Sequence, residues 1–206
     1  MNSSIDILEA LFGGPARIAI LRLLVRSAVP LTGRQVAELG GLSQPGASRA
    51  LEHLAELGVV HRRRVGRATL HELERENVLV ETMVLPVIEA ESSLGDALRA
   101  DLAEALSGAA VAVVLFGSVA RGEAGPGSDI DVLAVVEDDS AAAAAGVAAD
   151  EAGPRLFRRW GMPLSVVVTT RRSLAQESPA FLERVRVEGV AVSGTAEWER
   201  MRDGPQ

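Results

Sequence analysis

Two apolar runs, AAVAVVLFGS at 109–118 and DIDVLAVV at 129–136, bracket a short glycine- and serine-rich stretch, and nothing else in the chain restricts its fold so tightly. Runs of this length without polar alternation belong to strands covered on one or both faces, so helices must pack on them. PLSVVVTT at 163–170 reads as a third such strand and VAVSG at 190–194 as a short fourth. AAAAA at 141–145 opens a helical stretch before the third strand, alanine being the strongest helix former. SPAFLERVRVEG reads as a last helix. Strands and helices in alternation make an α/β layer.

The bracketed stretch carries chemistry. Gly117 stands where a strand opens into a helix, so phosphate oxygens can approach bare backbone N–H groups, and Ser118 adds a hydroxyl. Asp129 and Asp131, two apart on a strand, project from one face about 6.6 Å apart. Two carboxylates so placed suit Mg²⁺, which takes one or two protein carboxylates plus phosphate oxygens and water. The order Gly117-Ser118, then Ala120-Arg121-Gly122, then Ser128-Asp129-Ile130-Asp131 resembles the nucleotidyltransferase domain of the DNA polymerase β superfamily, its minimal nucleotidyltransferase group in particular, over residues 109–195.

That resemblance implies a polymerase-β-like fold with a mixed sheet, and Mg²⁺ and a nucleoside triphosphate (ATP or another) as ligands. It implies nucleotide binding by Gly117, Ser118, Arg121 and Ser128, metal binding by Asp129 and Asp131, and catalysis by the same two aspartates if the domain is active. The family also carries a third carboxylate on a later strand, which helps hold the metal that activates the attacking hydroxyl. Here that position falls on Ser165, and 152–176 contains no acidic residue. Glu137 lies six residues beyond Asp131, about 20 Å along an extended strand. A neutral hydroxyl offers a cation no charge. The expectation is a nucleotide site with weak or absent catalysis.

The first part of the chain is punctuated differently. Pro15 suits a first helical position, and Ile18, Leu21, Leu24 and Val25 follow at helical spacing. Thr32 can cap GRQVAEL, which Gly40-Gly41 ends. Ser43 can cap the next helix, whose inner face is Ala47, Leu51, Leu54 and Leu57, with Gly58 as its stop. VVHRR and ATLHEL, joined by RVGR, read as a hairpin turning at Gly66. Three helices and a hairpin make a winged helix-turn-helix, and LSQPGASRALEHLAELGVVHRRRVGRATLHEL resembles the recognition helix and wing of bacterial winged-helix transcription regulators.

In a helix-turn-helix the second helix enters the major groove. Gln44, Ser48, Arg49 and His53 are expected on its outward side, where Gln can pair with adenine and Arg with guanine. Arg62, Arg63, Arg64 and Arg67 would bring guanidinium groups to phosphates or a minor groove. His53 and His61 lie eight apart with no cysteine in the chain, a poor basis for a metal site.

The net charge of −7 speaks against nucleic acid only as a total. Residues 1–90 hold 10 arginines and 10 acids, and residues 91–206 hold 11 arginines and 18 acids, so the deficit lies wholly in the second part. Within 44–67, five arginines face two acids. Local sign governs the steering of a polyanion. No apolar run reaches the roughly 18 residues of a membrane span, and the N-terminus lacks a basic patch followed by an apolar stretch, so a cytoplasmic protein without a membrane partner is expected.

The expected organisation is a winged helix-turn-helix at 1–73, a helical connector and possible dimerisation element at 74–107 that Pro86 interrupts, and a nucleotidyltransferase-like domain at 108–206. The expected function is a DNA-binding transcriptional regulator, dimeric on double-stranded DNA, with Mg²⁺–nucleotide as effector. The alternatives are an active nucleotidyltransferase that modifies a protein or small molecule, and an antitoxin-like, autoregulated component of a toxin operon.

Overall fold

The computed structural model describes residues 6–176 and 180–202. Ser178 and Pro179, the expected start of the last helix, lie outside the described residues, as do 1–5 and 203–206 at the ends of the expected domains. The chain divides into two units, Met1–Ser93 and Leu94–Gln206. The boundary falls inside the stretch expected to connect two domains.

The first unit opens with α1 (Ile7–Phe12), which the sequence reading did not include, and α2 (Pro15–Arg26). β1 (Leu31–Thr32) leads into α3 (Gly33–Leu39). Thr32 closes a capping box there: its hydroxyl accepts from the Gln35 N–H at 3.3 Å, and the Gln35 side chain accepts from the Thr32 N–H at 2.9 Å. α4 (Gln44–Glu56) starts at Ser43, whose hydroxyl accepts from the Gly46 N–H. β2 (Val60–Val65) and β3 (Ala68–Leu73) form a hairpin around Gly66, which has the positive φ that such a tight turn needs. β1 pairs with the other edge of β3, giving an antiparallel sheet in the order β1-β3-β2. Ile20, Leu21, Leu24, Val36, Leu51, Leu54 and Val59 fill the core beneath it.

Beyond Leu79 comes a π-helical turn, Val80–Val84, in which the Leu85 N–H donates to the Val80 carbonyl. It precedes α5 (Leu85–Leu106), in whose first turn Pro86 lies. Proline removes one donor and crowds the preceding turn, and a widened turn accommodates both effects. Val80, Val84 and Ile88 belong to the first core, whereas Leu98, Leu102 and Leu106 belong to the core of the second unit.

The second unit is a four-stranded mixed sheet in the order β6-β5-β4-β7. Its strands are β4 (Ala112–Phe116), β5 (Ile130–Val136), β6 (Leu164–Thr170) and β7 (Val190–Ser193), all in runs expected to be strands. β4 pairs antiparallel with β5 and β7, while β5 pairs parallel with β6. The other elements are α6 (Gly117–Ala120), α7 (Asp139–Trp160), α8 (Arg171–Gln176), α9 (Ala180–Glu188) and α10 (Thr195–Arg202). Alternation along the strands sends Val113, Leu115, Ile130 and Val132 toward Leu98, Leu102, Ala152 and Leu156 of α5 and α7. Ala112, Val114, Leu133 and Val135 face Leu174, Leu182, Val185 and Trp198 of α8, α9 and α10. Among the described residues no helix is long and apolar enough to cross a membrane.

Candidate nucleotide site and nucleic-acid interface

β4 ends at Phe116, and the chain turns at once into α6 through Gly117, at φ +73°. Two constraints require glycine here. An L-residue is strained at that φ, and a Cβ at this position would overlap the Asp131 carboxylate, with its Cγ only 3.2 Å away. The bare backbone lets the turn after β4 and the β5 carboxylate share one corner.

That corner opens into a cleft of about 320 Å³ lined by Gly117, Ser118, Arg121 and Asp131 on one side and Phe181, Arg184 and Glu188 on the other. Phe116 also lines it and meets Phe181 edge to face, ring centroids 5.3 Å apart. Burial raises the Asp131 carboxyl above its ordinary value, and the neighbouring charge of Asp129 adds to the effect. A cation placed beside Asp131 would relieve both penalties.

Four of the six residues singled out in this segment therefore meet in one cleft. Asp129 is exposed and acts on Asp131 through its charge. Ser128 has a different duty: its hydroxyl accepts from the Gly125 N–H at 2.9 Å and closes the loop before β5. Arg121 lines the cleft but is bound to Glu123 and Glu188, each at 2.7 Å, which ties the end of α6 to α9. The cation left over is Arg184, which makes no ion pair or hydrogen bond among the described residues. Sequence reasoning missed Arg184, Phe181 and Glu188 because α9 begins 49 residues past Asp131 and carries no signature.

Residues 96–196 match the nucleotidyltransferase domain family. No curated protein matches the chain. Among solved structures, a predicted DNA-binding transcriptional regulator from E. coli is similar at 22% identity over 43% of this chain and 84% of its own, with a TM-score of 0.35. A toxin–antitoxin structure with AMP-PNP is 22% identical over 45% of this chain and 68% of its own, TM-score 0.33. A mutant of the toxin–antitoxin pair MntA–HpeT is 17% identical over 53% and 80%, TM-score 0.37.

In the segment that matches the nucleotidyltransferase family, the neighbour of Asp131 on the next strand is located by register. Asp131 pairs with Phe116 on β4 and, on the other side, with Ser165 on β6. The nearest place on the next strand from which a third acid could join Asp131 thus holds a hydroxyl. Among the described residues no three histidines, aspartates or glutamates cluster as a metal site. Asp131, with Asp129 beside it in sequence, offers carboxylate oxygens of the kind that Mg²⁺ combines with phosphate oxygens and water.

In the first unit, Gln44, Ser48 and Arg49 are exposed on α4. His53 is not an outward reader: its Nε2 lies 3.1 Å from the Ala10 carbonyl of α1, and the ring is half-buried. The expected outward placement treated α4 as if α1 were absent. Gln44 and Ser48 are also engaged, Gln44 donating to the Arg34 carbonyl at 3.5 Å and Ser48 to Glu52 at 3.4 Å. The arginine run on β2 divides between faces. Arg62 and Arg64 pair with His71 and Thr69 and share their face, whereas Arg63 pairs with Leu70 and points the other way. Arg67 stands exposed at the turn.

Proposed function

We propose that this protein is a DNA-binding transcriptional regulator whose nucleotidyltransferase domain holds Mg²⁺–nucleotide as an effector, with little or no transfer. The observation that carries this reading is the pairing of Asp131 with Ser165 across β5 and β6, beside an otherwise well-built phosphate corner. Binding needs the Gly117 turn, Ser118, one metal on Asp131 and Asp129, and a free cation at Arg184. Activation of an attacking hydroxyl needs a further carboxylate. A site that keeps the first set and lacks the second is suited to sensing.

Support for the DNA half comes from α2, α3 and α4 beside a three-stranded sheet, with exposed Gln44, Ser48 and Arg49 at the start of α4 and exposed arginines on the hairpin. A winged helix-turn-helix would place α4 in the major groove and act as a homodimer over two half-sites. Effector action requires nucleotide affinity to differ between DNA-bound and free protein, and the linkage is reciprocal.

The test is equilibrium binding to a fluorescent duplex from upstream of the protein's own coding sequence, at fixed salt, with and without each Mg²⁺–nucleoside triphosphate. Specific binding that shifts with one nucleotide is expected. Indifference to every nucleotide, or absence of specific binding, contradicts the proposal. In the latter case the active-transferase alternative is tested by label transfer in lysate and its loss in Asp129→Asn.

A further inference from the structure

In the first unit a second cleft, about 270 Å³, lies between α3, α4 and the hairpin. Arg34 comes to it from α3, Gln44, Ser48 and Glu52 from α4, and Arg62, Thr69 and His71 from the sheet. Most of these side chains are exposed, but His71, in the central strand, is only 8% exposed and its Nδ1 is buried without a partner. An unpartnered lone pair in the interior is tolerated better than an unpartnered N–H, which favours the tautomer with the proton on Nε2. Nε2 lies 3.8 Å from where a Cβ on Gly33 would stand, and Gly33 lines the same cleft. A buried imidazole donor, two guanidinium groups, two hydroxyls and a side-chain amide therefore converge, with Glu52 as the one opposing charge.

We propose that this cleft is a phosphate-binding site, seated by Arg34, Arg62, Ser48, Thr69 and His71, and that its occupant is a backbone phosphate of bound DNA. The choice of occupant rests on the DNA-binding reading, while the site itself does not. Gln44 and Ser48 thereby pass from base reading to backbone grip: Gln44 is held over α3 by its bond to the Arg34 carbonyl, and both line the cleft. Burial and the neighbouring Arg62 hold the His71 pKa below its ordinary value, so the ring is neutral in the empty site. An anion beside it offsets Arg62 and raises that pKa. The charged groups around the ring are Arg62 on its neighbouring strand, Arg34 on α3 and Glu52 on α4.

The test is histidine side-chain NMR of the full chain, titrated with inorganic phosphate at constant ionic strength. Saturable movement of the His71 signals and a rise in its pKa are expected, with His53 and His61 unmoved. Arg34→Ala and Arg62→Ala should each weaken the phosphate response roughly tenfold, and Glu52→Gln should strengthen it. An unmoved His71, or three histidines moving together, overturns the site. With a DNA duplex as ligand, His71 should respond in the same way, and Gln44→Ala should lower affinity for the upstream duplex and for a shuffled one by the same factor. If inorganic phosphate moves His71 and the duplex does not, the site holds with a free phosphate as its ligand, and the DNA reading of this face fails. Loss confined to the upstream duplex in Gln44→Ala returns that residue to base reading and overturns the backbone assignment.

Discussion

Asp131 and Ser165 are direct register partners in the parallel pair β5–β6, so a neutral hydroxyl stands beside a partly buried carboxylate of the cleft at the end of β4. A carboxylate at Ser165 would add the ligand that a second metal ion requires. Ser165 is exposed on an edge strand, so the change brings no steric conflict. Ser165→Asp is expected to raise the stoichiometry of bound Mn²⁺ in the nucleotide complex from one to two, read by electron paramagnetic resonance. Equal stoichiometry in both proteins would show that β6 does not supply the missing ligand.

Asp131 gives a pH dependence whose sign follows from its environment. Its folded pKa is raised by burial and by Asp129, so over the pH range between the ordinary and raised values the native state holds the proton that the unfolded chain has lost. Its contribution to stability is full below the ordinary carboxylate value and disappears as pH rises through the folded one. Asp131→Asn removes this penalty. Thermal melts should place the metal-free variant above the parent at neutral pH, with the gap closing in acid. Mg²⁺–nucleotide should raise the parent's Tm and leave the variant's unchanged.

Gly117→Ala should lose nucleotide binding, because the new Cβ occupies the place of the Asp131 carboxylate. The positive φ adds about 1–2 kcal/mol of destabilisation, visible as a lower Tm. Calorimetric titration with nucleotide distinguishes the two effects: normal affinity in a less stable protein would mean that Asp131 moves aside freely.

Arg184 and Arg121 line one cleft but have different surroundings. Arg184→Ala should weaken nucleotide binding about tenfold with little change in Tm, the scale of a lost charge-assisted hydrogen bond. Arg121→Ala removes the ties to Glu123 and Glu188, and its main consequence should be faster amide exchange in α6 and at the end of α9. Reversal of the two outcomes would make Arg121 the phosphate ligand.

On the face proposed to meet DNA, Arg49→Ala should cost about 1–3 kcal/mol of specific affinity and relax discrimination at one base position. Arg62→Ala and Arg64→Ala should each flatten the salt dependence by about one phosphate contact. Arg63→Ala should flatten it less, since its side chain leaves the opposite face of the hairpin. Equal slopes for the three variants would mean that DNA meets both faces.

Much of this architecture was legible in one dimension because the signals are local. Thr32 with Gln35, Ser43 before α4, and Gly66 in the hairpin each act within a few residues, so spacing alone reveals them. The strands β4 to β7 were readable as apolar runs, whereas β1 was not read as a strand, and the motif from Gly117 to Asp131 lies within one loop and its two flanking strands. The absence of an acid from 152–176, around Ser165, was also readable. Only the register of β5 against β6 makes Ser165 the neighbour of Asp131, because strand pairing joins residues 34 positions apart. Tertiary structure likewise turned His53 toward α1, split Arg62, Arg63 and Arg64 between two faces, tied Arg121 to Glu188 and brought Arg184 to the cleft beside Gly117 and Asp131. A chain encodes its helices, strands and turns through near neighbours, but which side chains remain free to meet a ligand depends on what distant segments pack against them.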